Sequence, residues 1–142
     1  MEIRRPYRKP QVIVADDNER ILHAVTRLLA PRFDLVGICR DGKSAIESVL
    51  ELFPDVLVLD IVMPVLDGIQ VARRLRDLKV PIKIVMLAGL NDQEYIDAAL
   101  EAGVKGFVFK RKMSTDLMDA IDTVLAGRIF LSSDNGEQRL IQ

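Results

Sequence analysis

The chain has 142 residues, a formal net charge of −1 and 49% hydrophobic residues, which suits one domain with a sizeable core. It carries no global basic field to draw in nucleic acid, no apolar run near the ~18 residues a bilayer span needs, and no apolar segment behind its basic start that resembles a secretory signal. A cytoplasmic protein without membrane contact is expected. The lone cysteine, Cys39, excludes an intramolecular disulfide and reads as a small core residue.

Residues 1–9, with Arg4-Arg5 and Arg8-Lys9, read as a solvated N-terminal extension. Gln11–Ala15 is the first expected strand. Glu19–Leu29 carries Ile21, Leu22, Val25, Leu28 and Leu29 at helical spacing, and Pro31 stops it. Its one histidine, His23, reads as a surface or boundary residue. Phe33–Cys39 reads as strand. Gly42–Phe53 reads as helix with Ile46, Val49, Leu50 and Phe53 on one face, ended by Pro54. Asp55–Asp60 is a strand, followed by the loop 61–68. Ile69–Leu78 is a helix with Ala72, Leu75 and Leu78 inward. Pro81 precedes the strand Ile82–Ala88. Asp92 is the expected N-cap of a helix reaching Ala102, closed by Gly103. Gly106–Phe109 is the last strand. Ser114 or Thr115 is the expected cap of a final helix with Leu117, Ile121, Val124 and Leu125 facing in, ended by Gly127. Ile129-Phe130-Leu131 reads as a segment that docks on the domain, and Ser132–Gln142 as a polar tail or the start of a linker.

Five βα units in a row predict a parallel sheet covered on both faces. In such a sheet ligands bind beyond the carboxyl ends of the strands. Asp16 and Asp17 follow the first strand, Asp60 ends the third and Lys110 follows the fifth. Taken singly, Asp17 or Asp60 reads as a helix cap or turn residue and Lys110 as a solvated lysine. Together they fall at corresponding ends of alternate units, which predicts one cluster of three carboxylates and an ammonium. Three carboxylates in one pocket call for a cation, and carboxylate oxygens suit Mg²⁺. A lysine suits a phosphate oxygen, and a carboxylate can itself accept a phosphoryl group.

With these residues the chain resembles the receiver domain of two-component response regulators. The resemblance spans residues 10–131 and rests on Val14-Ala15-Asp16-Asp17-Asn18, Val58-Leu59-Asp60-Ile61-Val62-Met63-Pro64, Asp67-Gly68, and Ala102 through Lys110. It implies an α/β (βα)5 flavodoxin-like sandwich with parallel strand order 2-1-3-4-5. It implies that Asp60 is the phosphoacceptor. Asp17, Asp60 and the Val62 carbonyl become Mg²⁺ ligands, with Asp16 reaching the metal through water. Lys110 contacts phosphate, and Met63-Pro64 and Gly68 shape the loop. It also implies a sensor histidine kinase as partner and no enzyme activity beyond self-phosphorylation and self-dephosphorylation.

One position departs from the family pattern. The fourth strand there ends in Thr or Ser, and here the matching residue is Ala88. The relay in which that hydroxyl moves with an aromatic, here Phe107, is therefore expected to be weak or altered, while backbone N–H groups near Gly89 remain available to phosphate. Val62 and Leu90 occupy the positions that tune dephosphorylation in the family. Neither can orient a water, so a long-lived phosphoryl group is expected. Ala126 to Ser132 resembles the segment after the last helix of NarL/FixJ-type regulators, which leads to a DNA-binding domain. Either a fragment of such a regulator or a stand-alone receiver fits, and DNA contact is expected only through an output domain outside these residues. A homodimer through the first and last helices is expected by analogy with the family. Two other functions compete. One is a phosphorylation-independent interaction domain of receiver fold. The other is a haloacid-dehalogenase-type phosphatase, against which Asp16-Asp17-Asn18-Glu19-Arg20 lacks the required Asp-x-Asp-x-Thr.

Overall fold

The structure, a computed structural model, describes residues 8–89, 92–133 and 139–141. Strands and helices alternate: β1 (Gln11–Ala15), α1 (Glu19–Leu29), β2 (Asp34–Cys39), α2 (Gly42–Leu52), β3 (Val56–Asp60), α3 (Gly68–Asp77), β4 (Lys83–Ala88), α4 (Ile96–Glu101), β5 (Gly106–Phe109), α5 (Met113–Leu125), β6 (Ile129–Leu131) and β7 (Arg139–Ile141). They form one sheet in the order β2-β1-β3-β4-β5-β6-β7. Pairings from β2 through β6 are parallel, and β7 runs antiparallel to β6.

The period of two along each strand divides the core into two layers. Val12 and Val14 of β1, with Val56 and Val58 of β3, pack beneath α1 and α5 against Leu22, Val25, Leu117 and Ile121. Ile13, Ala15, Leu57 and Leu59 face the other way, toward Ile46 and Val49 of α2 and Val71 and Leu75 of α3. Burying each such aliphatic side chain contributes about 1.5–3 kcal/mol. The result is a three-layer sandwich, and no helix among the described residues is long and apolar enough to cross a membrane.

Several elements differ from the sequence reading. Leu50 and Phe53 do not share the inward face of α2. Leu50 sits about 100° past the buried Val49, and Phe53 leaves the helix in a left-handed conformation (φ 46°, ψ 60°), 67% exposed. Pro54 disfavours helical backbone at Phe53. Leu78 also lies outside its helix, as the C-cap of α3, and is exposed. Asp92 does not cap α4. Its Oδ2 turns back to accept the Gly89 N–H at 2.7 Å, and a 3-10 turn, Asp92–Tyr95, precedes the helix. Neither Ser114 nor Thr115 caps α5, which grows out of a 3-10 turn at Lys110–Lys112, and the Thr115 hydroxyl instead donates to the Lys112 carbonyl at 3.1 Å. The docking segment is a sixth parallel strand. Phe130 N–H donates to the Lys105 carbonyl at 2.8 Å, and residues 139–141 of the expected linker pair with it as β7.

Candidate functional site

β1 ends by handing its ladder to Asp16, whose N–H donates to the Cys39 carbonyl at 3.0 Å. Asp16 is fully buried. Its Oδ1 accepts the Asn18 N–H at 2.8 Å, which fixes the carboxylate in the carboxyl-end notch. Asn18 is the N-cap of α1, accepting from Arg20 N at 2.9 Å and Ile21 N at 3.4 Å. Asp17 is thereby released from capping, and it is exposed. Sequence reasoning missed this division of labour, although an asparagine ahead of a helical stripe is a recognisable start signal.

Asp60 closes β3, its Cα paired with Leu87 of β4, and is 3% exposed. The loop after it is cinched by Gly68, whose N–H donates to the Ile61 carbonyl at 2.7 Å. A Cβ on Gly68 would stand 2.4 Å from the Asp60 carbonyl oxygen, so only glycine lets α3 start so close to the end of β3. Asp67 and Gln70 form a reciprocal capping box that anchors the far end of the loop. Val62 is exposed, and its N–H donates to Asp60 Oδ1 at 3.4 Å.

Lys110 follows β5 and reaches across the notch. Its Nζ lies 3.1 Å from Asp60 Oδ1 and 3.3 Å from Asp16 Oδ2. Carboxylate oxygens of Asp16, Asp17 and Asp60 lie within 4.8 Å of one another. The four predicted side chains thus converge. Ala88 is buried at the end of β4, its Cα paired with Phe109, and Phe107 is buried with its ring edge-on to Phe109 at 6.4 Å. Gly89 adjoins the notch, but its N–H is engaged by Asp92, so a phosphoryl oxygen would have to displace that carboxylate. Leu90 lies outside the described residues.

The electrostatics follow from this geometry. Burial, reinforced by the charge on Asp16, pushes the Asp60 carboxyl up to about 6, while Lys110 and the Val62 N–H pull against that rise. Burial alone would lower the Lys110 ammonium, but the charges of Asp60 and Asp16 outweigh it and the net shift is upward. Asp16 Oδ2 is buried and accepts no hydrogen bond, its approach to Lys110 being an ion-pair contact only. Two carboxylates ~4 Å apart repel by about 4 kcal/mol at an effective dielectric near 20. One ammonium cannot neutralise three such groups. An all-oxygen set with a buried acceptor that meets only the Lys110 ammonium, at 3.3 Å, fits a hard divalent cation, and Mg²⁺ suits one or two carboxylates completed by water.

Comparison with known proteins agrees with this arrangement. The family model described as response regulator receiver domain matches residues 12–122. A protein named as a transcriptional regulator in Pseudomonas aeruginosa is 38% identical over 121 residues, covering 84% of this chain and 58% of that one. The chemotaxis protein CheY of Halobacterium salinarum is 30% identical over 115 residues, covering 81% of this chain and 96% of that one. Among solved structures, the signal receiver domain of NarL from Mycobacterium tuberculosis superposes with a TM-score of 0.80 at 31% identity, covering 84% of this chain and 98% of that one. The chain spans little more than half the length of the transcriptional regulators it matches.

Proposed function

The chain belongs to the response regulator receiver domain family, in its NarL/FixJ branch, and we propose that it is a phosphoacceptor module that takes a phosphoryl group onto Asp60 from a sensor histidine kinase. The observation that carries this reading is the contact of Lys110 Nζ with both Asp60 and Asp16, inside a set of three carboxylates whose oxygens lie within 4.8 Å. An Asp60 oxygen attacks phosphorus as the P–N bond of the donor phosphohistidine breaks, and the imidazole leaves with the bonding electron pair. Lys110 then exchanges its carboxylate contact for a phosphoryl oxygen, so its charge stays compensated throughout. Bound Mg²⁺ would be held by Asp16, Asp17, Asp60 and the Val62 backbone, and supplies positive charge for the incoming phosphoryl oxygens. The protein contributes placement and charge, and turns over no separate substrate. Its action is cytoplasmic. DNA is reached through an output domain, and self-association uses α1 and α5.

Incubation with acetyl phosphate and Mg²⁺, read by intact mass, tests this. One added phosphoryl group that disappears in Asp60→Asn is expected, and equal labelling of the variant contradicts it. With no side-chain polar atom at Val62 to orient water, the adduct is expected to outlast minutes, and loss within seconds contradicts that part. Ala88, buried and without a hydroxyl at the end of β4, favours a second reading in which the fold serves as a phosphorylation-independent interaction domain. Labelling in the same experiment decides between the two.

A further inference from the structure

The segment after α5 is fastened to the domain by a buried side-chain clasp that nothing in the phosphoacceptor reading uses. Ser132 follows β6 and is buried. Its N–H carries the ladder one step further, to the Phe107 carbonyl at 2.8 Å. At the next rung, where a continuing strand would offer a carbonyl, the Phe109 N–H meets the Ser132 hydroxyl oxygen at 3.1 Å. That hydroxyl donates to Asp116 Oδ2 at 2.7 Å. Asp116 lies in the first turn of α5 and is 2% exposed, and its other oxygen lies 3.0 Å from the Thr115 hydroxyl, whose single proton it shares with the Lys112 carbonyl. A second tie joins the same two segments, from Lys112 Nζ to the Ser133 carbonyl.

The clasp sits directly behind the phosphate-side lysine. Phe109 is the residue before Lys110, so Ser132 holds the Val108–Phe109 peptide, one residue short of the lysine that enters the notch. The Arg111 guanidinium stacks over the Phe109 ring at 4.6 Å, and the turn Lys110–Lys112 leads straight into the helix that bears Asp116. A buried, doubly hydrogen-bonded hydroxyl is costly to replace, because its removal strands the Phe109 donor away from water and takes one donor from the buried Asp116 carboxylate.

We propose that Ser132 and Asp116 are positioning residues for Lys110. The chain of hydrogen bonds Phe109–Ser132–Asp116 sets how the ammonium meets Asp60 and Asp16, and ties that contact to the segment after α5. The use made of Lys110 rests on the phosphoacceptor reading, whereas its placement by Ser132 does not.

The test follows lysine acylation by dilute acetic anhydride, residue by residue by mass spectrometry, on the full chain in metal-free buffer. The exposed Lys43 and Lys79 serve as internal references. Ser132→Ala is expected to raise Lys110 acylation severalfold with the references unchanged. It is also expected to slow acetyl-phosphate labelling severalfold at saturating Mg²⁺ without weakening Mg²⁺ affinity. Ser132→Thr, which keeps the hydroxyl, restores both. Asp116→Asn keeps the volume and is expected to act in the same direction more weakly, which covers the case of a Ser132→Ala chain that does not fold. In a Lys110→Gln background Ser132→Ala should cost no further labelling. Unchanged Lys110 acylation in both variants overturns the proposal, as does a loss of labelling that tracks a loss of Mg²⁺ affinity. A wild-type chain that takes no phosphoryl group defeats the phosphoacceptor reading alone, and the acylation result still decides whether Ser132 places Lys110.

Discussion

At the carboxyl end of the sheet, Asp16 and Asp60 are buried against Lys110, and Asp16 Oδ2 accepts no hydrogen bond. At the amino end, Asp55 accepts the Gln11 N–H at 2.7 Å, beside a groove of about 310 Å³ walled by Val49, Phe53, Pro54, Val80, Pro81 and Leu125. The same strands run through both ends. One end keeps like charges together at an energetic cost that a ligand can relieve, and the other has its polar group satisfied by the backbone. Stability and function are therefore opposed at the first end and independent at the second.

Matched substitutions at the two ends break or sharpen that contrast. Gly68→Ala has the largest expected effect, because the new Cβ would meet backbone, the Asp60 carbonyl oxygen at 2.4 Å. A loss of about 3 kcal/mol or more by urea denaturation is expected, together with most of the labelling rate. Retention of full labelling would show that the loop tolerates movement.

Acidity gives the next largest effect. The Asp60 carboxyl is raised to about 6 in the folded chain, against an ordinary value near ~4 when unfolded. Below the lower value both states hold the proton and this group costs nothing. As pH rises through the window between them, the unfolded chain releases its proton first, and metal-free stability falls. The contribution reaches about 3 kcal/mol by neutral pH. Denaturation of the metal-free chain at pH 5 and 7.5 should show wild type losing more stability than Asp60→Asn over that interval. Lys110, whose folded value is raised, adds stability that is fully present at neutral pH and is lost only in alkali, as pH climbs through that value.

Gly106→Ala, at the amino end of β5, places its Cβ 2.8 Å from Val85 Cγ2 and 3.1 Å from Val124 Cγ1. Overpacking of this kind costs about 1–3 kcal/mol, and labelling per folded molecule should stay at the wild-type level. A parallel loss of labelling would couple the two ends. The smallest effect is expected at Phe53, where an exposed side chain occupies φ 46°. Phe53→Gly should stabilise by about 1 kcal/mol, because glycine enters the left-handed region without a Cβ penalty, and a lower melting temperature would contradict this.

The fold was legible wherever periodicity and punctuation agreed. β1, β3, β4 and β5 are short apolar runs ended by charge or glycine, and their bounds are nearly those read from the chain. β6 was visible only as a sticky segment, since three apolar residues carry no period and their pairing with β5 is a tertiary choice. Phe53 and Leu78 misled because hydrophobicity says nothing about which side of a helix end the chain leaves by. Asp92 and Thr115 misled because capping side chains can turn backward as readily as forward. At the site, Asp16, Asp17, Asp60 and Lys110 stood out because strand ends bring distant residues to one edge. Ser132 and Asp116 did not, because a serine in a tail and an aspartate in a first helical turn each have an ordinary local role. Only the partner 16 residues away reveals the other one.

The carboxyl-end carboxylates are held together at a cost that a divalent cation would remove. Thermal unfolding of wild type and Asp60→Asn, each with and without Mg²⁺, tests it most directly. Asp60→Asn is expected to melt higher than wild type when metal-free, and Mg²⁺ to raise the wild-type midpoint far more than the variant's. A metal-free variant that melts lower than wild type, or a wild-type midpoint indifferent to Mg²⁺, would contradict it.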